Sequence, residues 1–185
     1  MLDLKQINKS WTLFLDRDGV INHDTPNDYV RNANQFRFYD DVLNSLTYFG
    51  KKFGRIIVVT NQRGVGRGLM TEEDLLLIHE KMLKAVDDSG GRIDRVYYCI
   101  SMDNDHPNRK PNPGMAIDAR KDFPEIDFSK AVIVGNNLSD MGFGRNAGIH
   151  TVFVKTTNPE VTLPHPLIDM IFDTLPDFAK ALQSA

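Results

Sequence analysis

The sequence predicts an α/β protein with a doubly wound, Rossmann-like parallel sheet in three α/β/α layers. Short apolar runs suited to buried strands alternate along the chain with segments of helical periodicity. The run over 56–59 holds four consecutive β-branched residues, and this lack of alternation is typical of a strand covered on both faces. Polar residues follow such runs at once, so we expect a polar edge where the strands end.

The predicted strands are short and mostly aliphatic. The first strand is followed by two acids, Asp16 and Asp18. The second ends in Thr60 and Asn61, and the fourth ends in Gly135, which polar residues follow. In chain order the strands are predicted over 11–15, 55–62, 93–100, 131–135 and 151–154.

Helices are predicted between the strands. Apolar residues recur at helical spacing from Val42 to Phe49, with Asp40 or Asp41 as the N-cap. Thr71 caps the next helix and is followed by three acids, which favour a helix N-terminus. In chain order the helices are predicted over 40–53, 71–88, 114–123, 141–147 and 174–182.

Polar loops are predicted after three of the strands, over 22–34, 63–68 and 101–113. The first contains Pro26 and follows the acidic run directly, so it should lie over the same edge of the sheet. The second alternates glycine with other residues and is predicted to be a flexible basic loop.

Composition sets the broad class. The chain has 185 residues, 41% hydrophobic and 25% charged, which suits one domain over 1–185. Its net charge of −3 argues against nucleic acid as a partner. With one cysteine it can form no intrachain disulfide, and no apolar run approaches the ~20 residues of a membrane helix. We expect a cytoplasmic, soluble monomer that does not bind membranes.

Asp16 and Asp18 are the first candidate site residues. At strand spacing they point to the same side, and Gly19 lets the chain turn away. Two close carboxylates raise each other's pKa unless a cation lies between them, and hard oxygen ligands suit Mg²⁺. We interpret Asp16 as a metal-assisted nucleophile and Asp18 as its proton partner. A solvated Asp-x-Asp-Gly turn is the alternative.

Thr60, Asn61 and Lys110 extend this set at other strand ends. A hydroxyl and an amide could hold phosphate oxygens, and a lysine could offset their charge, as phosphoryl transfer requires. The simpler interpretations are a turn cap for Thr60 and Asn61 and a solvated loop position for Lys110.

The remaining candidates are less specific. Asn136 or Asp140 could lie near a metal ion, since both follow the fourth strand. Arg63 and Arg67 could bind a second phosphate or form a polar rim, or could simply face solvent.

In these residues the chain resembles the haloacid dehalogenase-like (HAD) phosphatases. The run from Phe14 to Gly19 resembles their first motif, Thr60-Asn61 their second, Lys110 their third, and 135–140 their fourth. Finer features resemble the branch of D-glycero-D-manno-heptose 1,7-bisphosphate phosphatases and histidinol-phosphate phosphatases. The first feature is the run DRDGVIN, which starts at Asp16. The second is TNQ at 60–62 followed by GVGRG from Gly64, and the third is YYC from Tyr97. The fourth is RKP from Arg109 followed by PGM from Pro113.

The resemblance implies residue roles. Asp16 is the expected nucleophile and Asp18 the general acid/base, Thr60 and Asn61 bind phosphate, and Arg109 and Lys110 contact substrate and phosphate. The family pattern places Mg²⁺ on the Asp16 carboxylate, the Asp18 backbone carbonyl and a fourth-motif carboxylate. The chain itself leaves little room for a cap domain, because only about forty residues separate the first two motifs.

Two departures bear on function. The small zinc loop of these relatives is reduced to Cys99 and His106, too few ligands for a four-coordinate site, so no structural zinc is expected. Their fourth motif reads Gly-Asp-Lys, whereas this chain has Asn136 and Asn137 after Gly135. We expect weaker metal binding, with Asp140 compensating directly or through water.

The expected function is therefore a Mg²⁺-dependent phosphatase of a small metabolite, foremost a sugar bisphosphate of the heptose 1,7-bisphosphate type. The alternatives are a histidinol-phosphate phosphatase, a polynucleotide 3′-phosphatase-like enzyme, and a catalytically impaired relative that binds a phosphorylated ligand or a protein partner.

Overall fold

The sheet has six parallel strands in the order β3-β2-β1-β4-β5-β6 in a computed structural model. The structure describes residues 2–25 and 28–185. Pro26 and Asn27, inside the loop predicted over 22–34, lie outside the described residues. The strands are β1 (Thr12–Leu15), β2 (Arg55–Asn61), β3 (Arg95–Cys99), β4 (Ala131–Gly135), β5 (His150–Val154) and β6 (Met170–Phe172).

Helices follow the strands as predicted for a doubly wound sheet. They are α1 (Val42–Lys52), α2 (Arg63–Gly66), α3 (Glu72–Asp88), α4 (Gly114–Asp122), α5 (Leu138–Ala147) and α6 (Leu175–Gln183). The α/β class and the parallel sheet are confirmed.

Alternate strand residues face opposite layers, so the sheet is buried on both sides. Leu13 and Leu15 belong to the larger core with helices α1, α3 and α6. Phe14 packs in the second core with α4 and α5. Burial on both faces explains why β2 and β4 are continuous aliphatic runs.

Two local expectations were wrong and one strand was missed, while the predicted N-cap position of α1 at Asp41 is confirmed. Residues 63–66 form the short helix α2 rather than a flexible loop. Helix α5 begins at Leu138, three residues earlier than predicted, because Asn137 and Asp140 form a capping box. Strand β6 has only three residues and was not predicted. Asp41 lies at the N-cap of α1, but it has φ of +59° and makes no side-chain capping hydrogen bond.

The topology brings the ends of β1, β2 and β4 together, because β1 pairs with both neighbours in parallel register. Within the described residues, no helix is long and apolar enough to span a membrane. The carboxyl ends of these three strands define the edge that carries the candidate site.

Candidate active site

Asp16 lies where β1 leaves the sheet. Its backbone N–H donates to the carbonyl oxygen of Val134 at 3.0 Å, so pairing with β4 continues to this residue. Gly19 then takes φ of +82°, a conformation that a β-carbon disfavours. A β-carbon there would also collide with the Asn136 side chain. The resulting sharp turn leaves Asp16 and Asp18 on the wall of one cavity.

Lys110 places a single cation between two buried carboxylates. Its Nζ lies 2.9 Å from Asp16 Oδ1 and 2.6 Å from Asp140 Oδ1, and it donates to the Val59 carbonyl oxygen at 2.8 Å. These contacts replace the water that a buried ammonium group would otherwise need. Burial opposes the charged form, but the charges of Asp140 and Asp16 outweigh it and raise the pKa of Lys110. The amine is therefore protonated at neutral pH.

Asp16 is the member of this group whose ionised form is destabilised by its surroundings. Burial, followed by the charge of Asp140, raises the pKa of Asp16 to about 7, although Lys110 acts in the opposite direction. One ammonium group cannot neutralise two carboxylates, so the cluster has negative charge in excess when all three groups are ionised. A further cation at this position would favour the ionised, nucleophilic form of Asp16.

Asn61 holds the loop that carries the lysine. Its Nδ2 donates to the Lys110 carbonyl oxygen at 3.1 Å, and the Lys110 backbone N–H donates to Asn61 Oδ1 at 3.0 Å. Asn61 lines the cavity, as the sequence predicts. Its contacts add a positioning role to the predicted contact with phosphate.

Asp18 is held by three neighbouring side chains. Arg17 donates from Nη2 to both carboxylate oxygens at 2.8 Å, Asn22 Nδ2 donates to Oδ1 at 2.9 Å, and Gln62 Nε2 donates to Oδ2 at 2.8 Å. Burial raises the pKa of Asp18, but the charge of Arg17 and these hydrogen bonds more than offset it, so the pKa lies below its usual value. Asp18 is therefore a carboxylate in this state.

Gln62 also orients the hydroxyl of Thr60. Gln62 Nε2 donates to Thr60 Oγ1 at 2.9 Å, so that oxygen acts as an acceptor and its own proton is available for donation. Thr60 lies on the cavity wall beside Asn61. A hydroxyl whose acceptor side is already used is suited to donate to a phosphate oxygen.

Asn136 and Asp140 are placed differently from each other. Asp140 faces Lys110 with Oδ1, while its Oδ2 accepts the backbone N–H of Asn137 at 3.0 Å and so caps α5. Gly135 permits this approach, because a β-carbon there would overlap the Asp140 carboxyl group. Asn136 is fully buried, and its Nδ2 donates to Thr157 Oγ1 at 2.6 Å.

The residues present fit a magnesium ion held by one charged and two neutral ligands. Within residues 2–25 and 28–185, no cluster of three or more His, Cys, Asp or Glu side chains could hold a metal ion. Asn136 Oδ1 nevertheless is buried without a hydrogen-bond partner among these residues. It lies against the turn at Gly19, the residue that follows Asp18 in the chain. A carboxylate, a backbone carbonyl and a carboxamide oxygen form a donor set that Mg²⁺ accepts.

Three arginines of the predicted site lie near one another, and one of them lines the cavity. Arg67 lines the cavity, with its guanidinium carbon 5.7 Å from the centre of the Tyr29 ring. Arg63 donates to the Asn104 side chain. Burial, followed by the nearby charge of Arg63, lowers the pKa of Arg109. No carboxylate forms an ion pair with any of the three in the described part of the chain.

A cavity of about 440 Å³ unites most of the predicted residues. Arg63, Arg109 and Asn136 lie outside its wall. Asp24 and Asp28 line it and were not predicted. The predicted residues on its wall are Asp16, Asp18, Thr60, Asn61, Arg67, Lys110 and Asp140.

Three residues that hold the site were missed as candidates: Arg17, Asn22 and Gln62. Gln62 follows Thr60 by two positions, and this spacing places both side chains on the same side of an extended chain. This two-residue spacing is the signal in the sequence that could have identified Gln62. Arg17 and Asn22 belong to the quoted DRDGVIN run, which gave no separate indication of their partners.

The remnant of the zinc loop is a close pair of side chains. Cys99 Sγ lies 3.6 Å from His106 Nδ1. Two ligands do not complete a structural zinc site, which has four. The expected absence of zinc stays a prediction.

Comparisons with known proteins agree with the geometry. A family model described as HAD-hydrolase-like matches residues 107–178. The D-glycero-beta-D-manno-heptose-1,7-bisphosphate 7-phosphatase of Photorhabdus laumondii is 34% identical over 184 residues, which cover 92% of this chain and 94% of that protein. The D-glycero-alpha-D-manno-heptose-1,7-bisphosphate 7-phosphatase of Mycobacterium bovis is 34% identical over 176 residues, covering 95% and 93%.

Solved structures extend the likeness to three dimensions. The D,D-heptose 1,7-bisphosphate phosphatase from B. bronchiseptica, in complex with magnesium and phosphate, has a TM-score of 0.82 at 28% identity, covering 95% of this chain and 99% of that chain. The D,D-heptose 1,7-bisphosphate phosphatase from Burkholderia thailandensis has a TM-score of 0.66 at 28% identity, with the same coverage.

Proposed function

This chain belongs to the haloacid dehalogenase-like phosphatases, and we propose that it removes one phosphate from a sugar bisphosphate of the heptose 1,7-bisphosphate type. One observation carries the mechanism. Lys110 Nζ lies 2.9 Å from Asp16 Oδ1, on a cavity wall shared with Thr60. A carboxylate, an ammonium group and a hydroxyl so placed suit attack on a phosphorus atom whose oxygens need neutralising.

The first step forms an acyl phosphate. An Asp16 oxygen attacks phosphorus, the bond from phosphorus to the ester oxygen breaks, and that oxygen takes a proton from Asp18. Lys110 and Thr60 stabilise the charge on the transferring group. Asp18 is ionised in the free site, so it must gain its proton when substrate binds; the negative phosphate beside it raises its pKa in that direction.

The second step releases phosphate. Asp18, now a carboxylate, takes a proton from water as the water oxygen attacks phosphorus. The bond from phosphorus to Asp16 breaks and the Asp16 carboxylate returns. Asp18 loses this proton as phosphate leaves and takes up another when the next substrate binds, so the proton balance closes over one cycle.

The magnesium ligands in this proposal are the Asp16 carboxylate, the Asp18 backbone carbonyl and Asn136 Oδ1. A bound Mg²⁺ supplies Lewis-acid neutralisation of the phosphate oxygens. Asp140 instead faces Lys110 with Oδ1 and accepts the Asn137 backbone N–H with Oδ2. We propose that Asn136 lowers metal affinity without abolishing it.

The second phosphate of the substrate is assigned to Arg63, Arg67 and Arg109. Guanidinium groups bind phosphate through paired N–H donors, and charge-assisted bonds of this kind are strong. The orphaned, buried Nε of Arg63 and Nη1 of Arg109 support this assignment. A bisphosphate would therefore place one phosphate at Asp16 and the other at the mouth of the cavity.

We also propose that the enzyme acts as a cytoplasmic monomer without structural zinc. The lone Cys99 and the incomplete ligand set around it support the last point. Size-exclusion chromatography with light scattering tests the monomer, and elemental analysis of the purified protein tests for zinc.

A second candidate function rests on Asn136. A neutral residue at a metal ligand position could leave a protein that binds a phosphorylated ligand but turns it over poorly. A measurement of phosphate release in the presence of Mg²⁺ distinguishes an active phosphatase from an impaired binder. An enzyme gives turnover that Asp16→Asn abolishes, whereas an impaired binder gives turnover only after Asn136→Asp.

The substrate is tested by a panel of phosphate esters with the wild type and Asp16→Asn. The panel contains heptose 1,7-bisphosphate, fructose 1,6-bisphosphate, histidinol phosphate and 3′-phosphorylated DNA. The proposal expects the highest kcat/KM for a sugar bisphosphate. A preference for histidinol phosphate or 3′-phosphorylated DNA would contradict it and favour the corresponding alternative.

A further inference from the structure

His79 is a buried polar residue on the apolar face of α3. Its neighbours on that face, Leu75, Ile78 and Met82, are all fully buried in the main core. His79 itself is only 4% exposed. A polar side chain costs stability in such a place unless it has a partner, and the partner here is Arg17.

Arg17 is fully buried between His79 and Asp18. Its Nε and Nη2 face the Asp18 carboxylate, at 3.3 Å and 2.8 Å from Oδ1. Its Nη1 points away from that carboxylate and lies 3.2 Å from His79 Nε2. The guanidinium group therefore has a partner on both sides, one of which is the proposed proton-transfer residue.

The chemistry fixes the direction of the bond. A guanidinium group only donates hydrogen bonds, so His79 Nε2 must be the acceptor. The imidazole is then neutral and carries its proton on Nδ1. If His79 Nε2 also carried a proton, that proton would point at the N–H of Arg17 Nη1 and no hydrogen bond could form. The contact therefore requires the neutral ring.

We propose that His79 is a positioning residue for Asp18, acting through Arg17. The inference rests on the proposed function, since it assumes that Asp18 transfers the proton to the leaving group. His79 fixes Nη1, the rigid plane of the guanidinium group transmits that position to Nε and Nη2, and these hold the two oxygens of Asp18. Without the acceptor, the buried guanidinium group turns to find another partner and the carboxylate loses its orientation.

The test separates positioning of the acid from general support of the fold. The kcat/KM value reports steps up to formation of the acyl phosphate, so it depends on protonation of the leaving oxygen. A nitrophenolate leaves almost unaided, whereas an alkoxide needs the proton. The two substrates are p-nitrophenyl phosphate and glycerol 2-phosphate, and the variants are His79→Leu and His79→Gln.

The proposal expects His79→Leu to lower kcat/KM about 10- to 100-fold for glycerol 2-phosphate and less than about threefold for p-nitrophenyl phosphate. His79→Gln, whose Oε1 can replace the Nε2 acceptor, restores both values to within about threefold of wild type. Met82→Leu, a conservative change on the same face of α3, leaves both unchanged. Should His79→Leu fail to fold, His79→Met replaces it, because methionine fills a similar space and its thioether is only a weak hydrogen-bond acceptor.

Equal losses on the two esters, or no loss on either, would overturn the positioning role while leaving the proposed function intact. A wild type that hydrolyses neither these two esters nor the sugar bisphosphates would overturn the proposed function and the role of His79 with it. The same loss in the leucine and glutamine variants would also count against the proposal, because the acceptor would then be irrelevant.

Discussion

Asn61 and Lys110, which are 49 residues apart in the chain, exchange two hydrogen bonds at 3.0 and 3.1 Å. The end of β2 thus fixes the backbone of the loop that supplies the cation. From there the lysine side chain reaches back to Val59 and Asp16. The position of the ammonium group is set by backbone geometry as well as by its ion pairs.

We predict that Asn61→Ala damages both activity and stability. The change leaves the Lys110 backbone groups without their partner, which costs about 1–3 kcal/mol in the free energy of unfolding. A displaced ammonium group lowers kcat/KM about 10- to 100-fold. Urea unfolding and steady-state kinetics with p-nitrophenyl phosphate measure the two effects.

Asn146→Ala is the matched control. Asn146 Nδ2 donates to the carbonyl oxygen of Pro111 at 3.0 Å, one residue along the same loop, but on the exposed side. Its removal should change kcat/KM less than about twofold. Equal effects of the two changes would show that the Asn61 contact has no special role.

The sequence predicts the elements that this pair joins, because strand β2 and the Arg-Lys-Pro loop are both local patterns. It cannot predict the pairing itself, since the amide of Asn61 could equally bind phosphate or cap a turn. The sequence likewise cannot predict the hydrogen bonds that Gln62 and Asn22 donate to Asp18. Side-chain partners distant in sequence follow from the fold and not from local spacing.

The errors in secondary structure have physical causes too. The glycines in 63–68 gave no helix signal, yet the chain closes the turn α2 there, with the Arg67 N–H bonded to the Arg63 carbonyl oxygen. The predicted start of α5 at Met141 is too late, because Asn137 and Asp140 have the composition of a polar loop although they form the capping box of the helix. Strand β6 is too short to show periodicity.

Asn136→Asp is predicted to strengthen metal binding. A carboxylate in place of the carboxamide adds a negative charge beside Asp16 and Asp18, and the charge of the ligands sets cation affinity. We expect about tenfold tighter Mn²⁺ binding by paramagnetic resonance, with Mn²⁺ standing in for Mg²⁺.

The matched control for this prediction is Asn137→Asp, which adds the same charge one residue away at the cap of α5. It should tighten Mn²⁺ binding by less than about twofold. Equal tightening in both variants would indicate a general field effect and would contradict ligation by residue 136.

Arg67→Met is predicted to reduce the selectivity for bisphosphates. The change removes a guanidinium group from the mouth of the cavity and leaves Asp16 and Lys110 untouched. We expect kcat/KM for a sugar bisphosphate to fall about 10- to 100-fold, and that for p-nitrophenyl phosphate to fall less than about threefold. Phosphate release assays on the two substrates measure the ratio.

Arg31→Met serves as the comparison for Arg67→Met. Arg31 forms an ion pair with Asp28 at 2.6 Å on a half-exposed surface near the same loop. Loss of that pair should leave the ratio of the two kcat/KM values unchanged. An unchanged ratio in Arg67→Met as well would remove Arg67 from the second phosphate site.

Acid is predicted to destabilise the fold through His79. Burial, followed by the charge of Arg17, lowers the pKa of His79 to about 3, against an ordinary value of 6.5. Below pH 6.5 the unfolded chain binds a proton that the folded chain does not. Stability is therefore fully present above that pH and falls as the pH drops toward 3, by at most about 1.4 kcal/mol per pH unit.

Urea unfolding of wild type and His79→Gln at pH 7.5 and pH 5.0 measures this effect, because glutamine does not titrate. We expect wild type to lose roughly 1–2 kcal/mol more than His79→Gln over that interval. Equal losses in the two proteins would mean that the imidazole is not held in its neutral form.

Trapping the covalent intermediate tests the central claim most directly. The enzyme is quenched during turnover of its substrate and treated with borohydride, which reduces an aspartyl phosphate to homoserine, and its peptides are mapped by mass spectrometry. Attack by Asp16 predicts homoserine at position 16 in the wild type and none in unreacted enzyme. Turnover without homoserine at position 16, or with homoserine at position 18 or 140 instead, would contradict the mechanism.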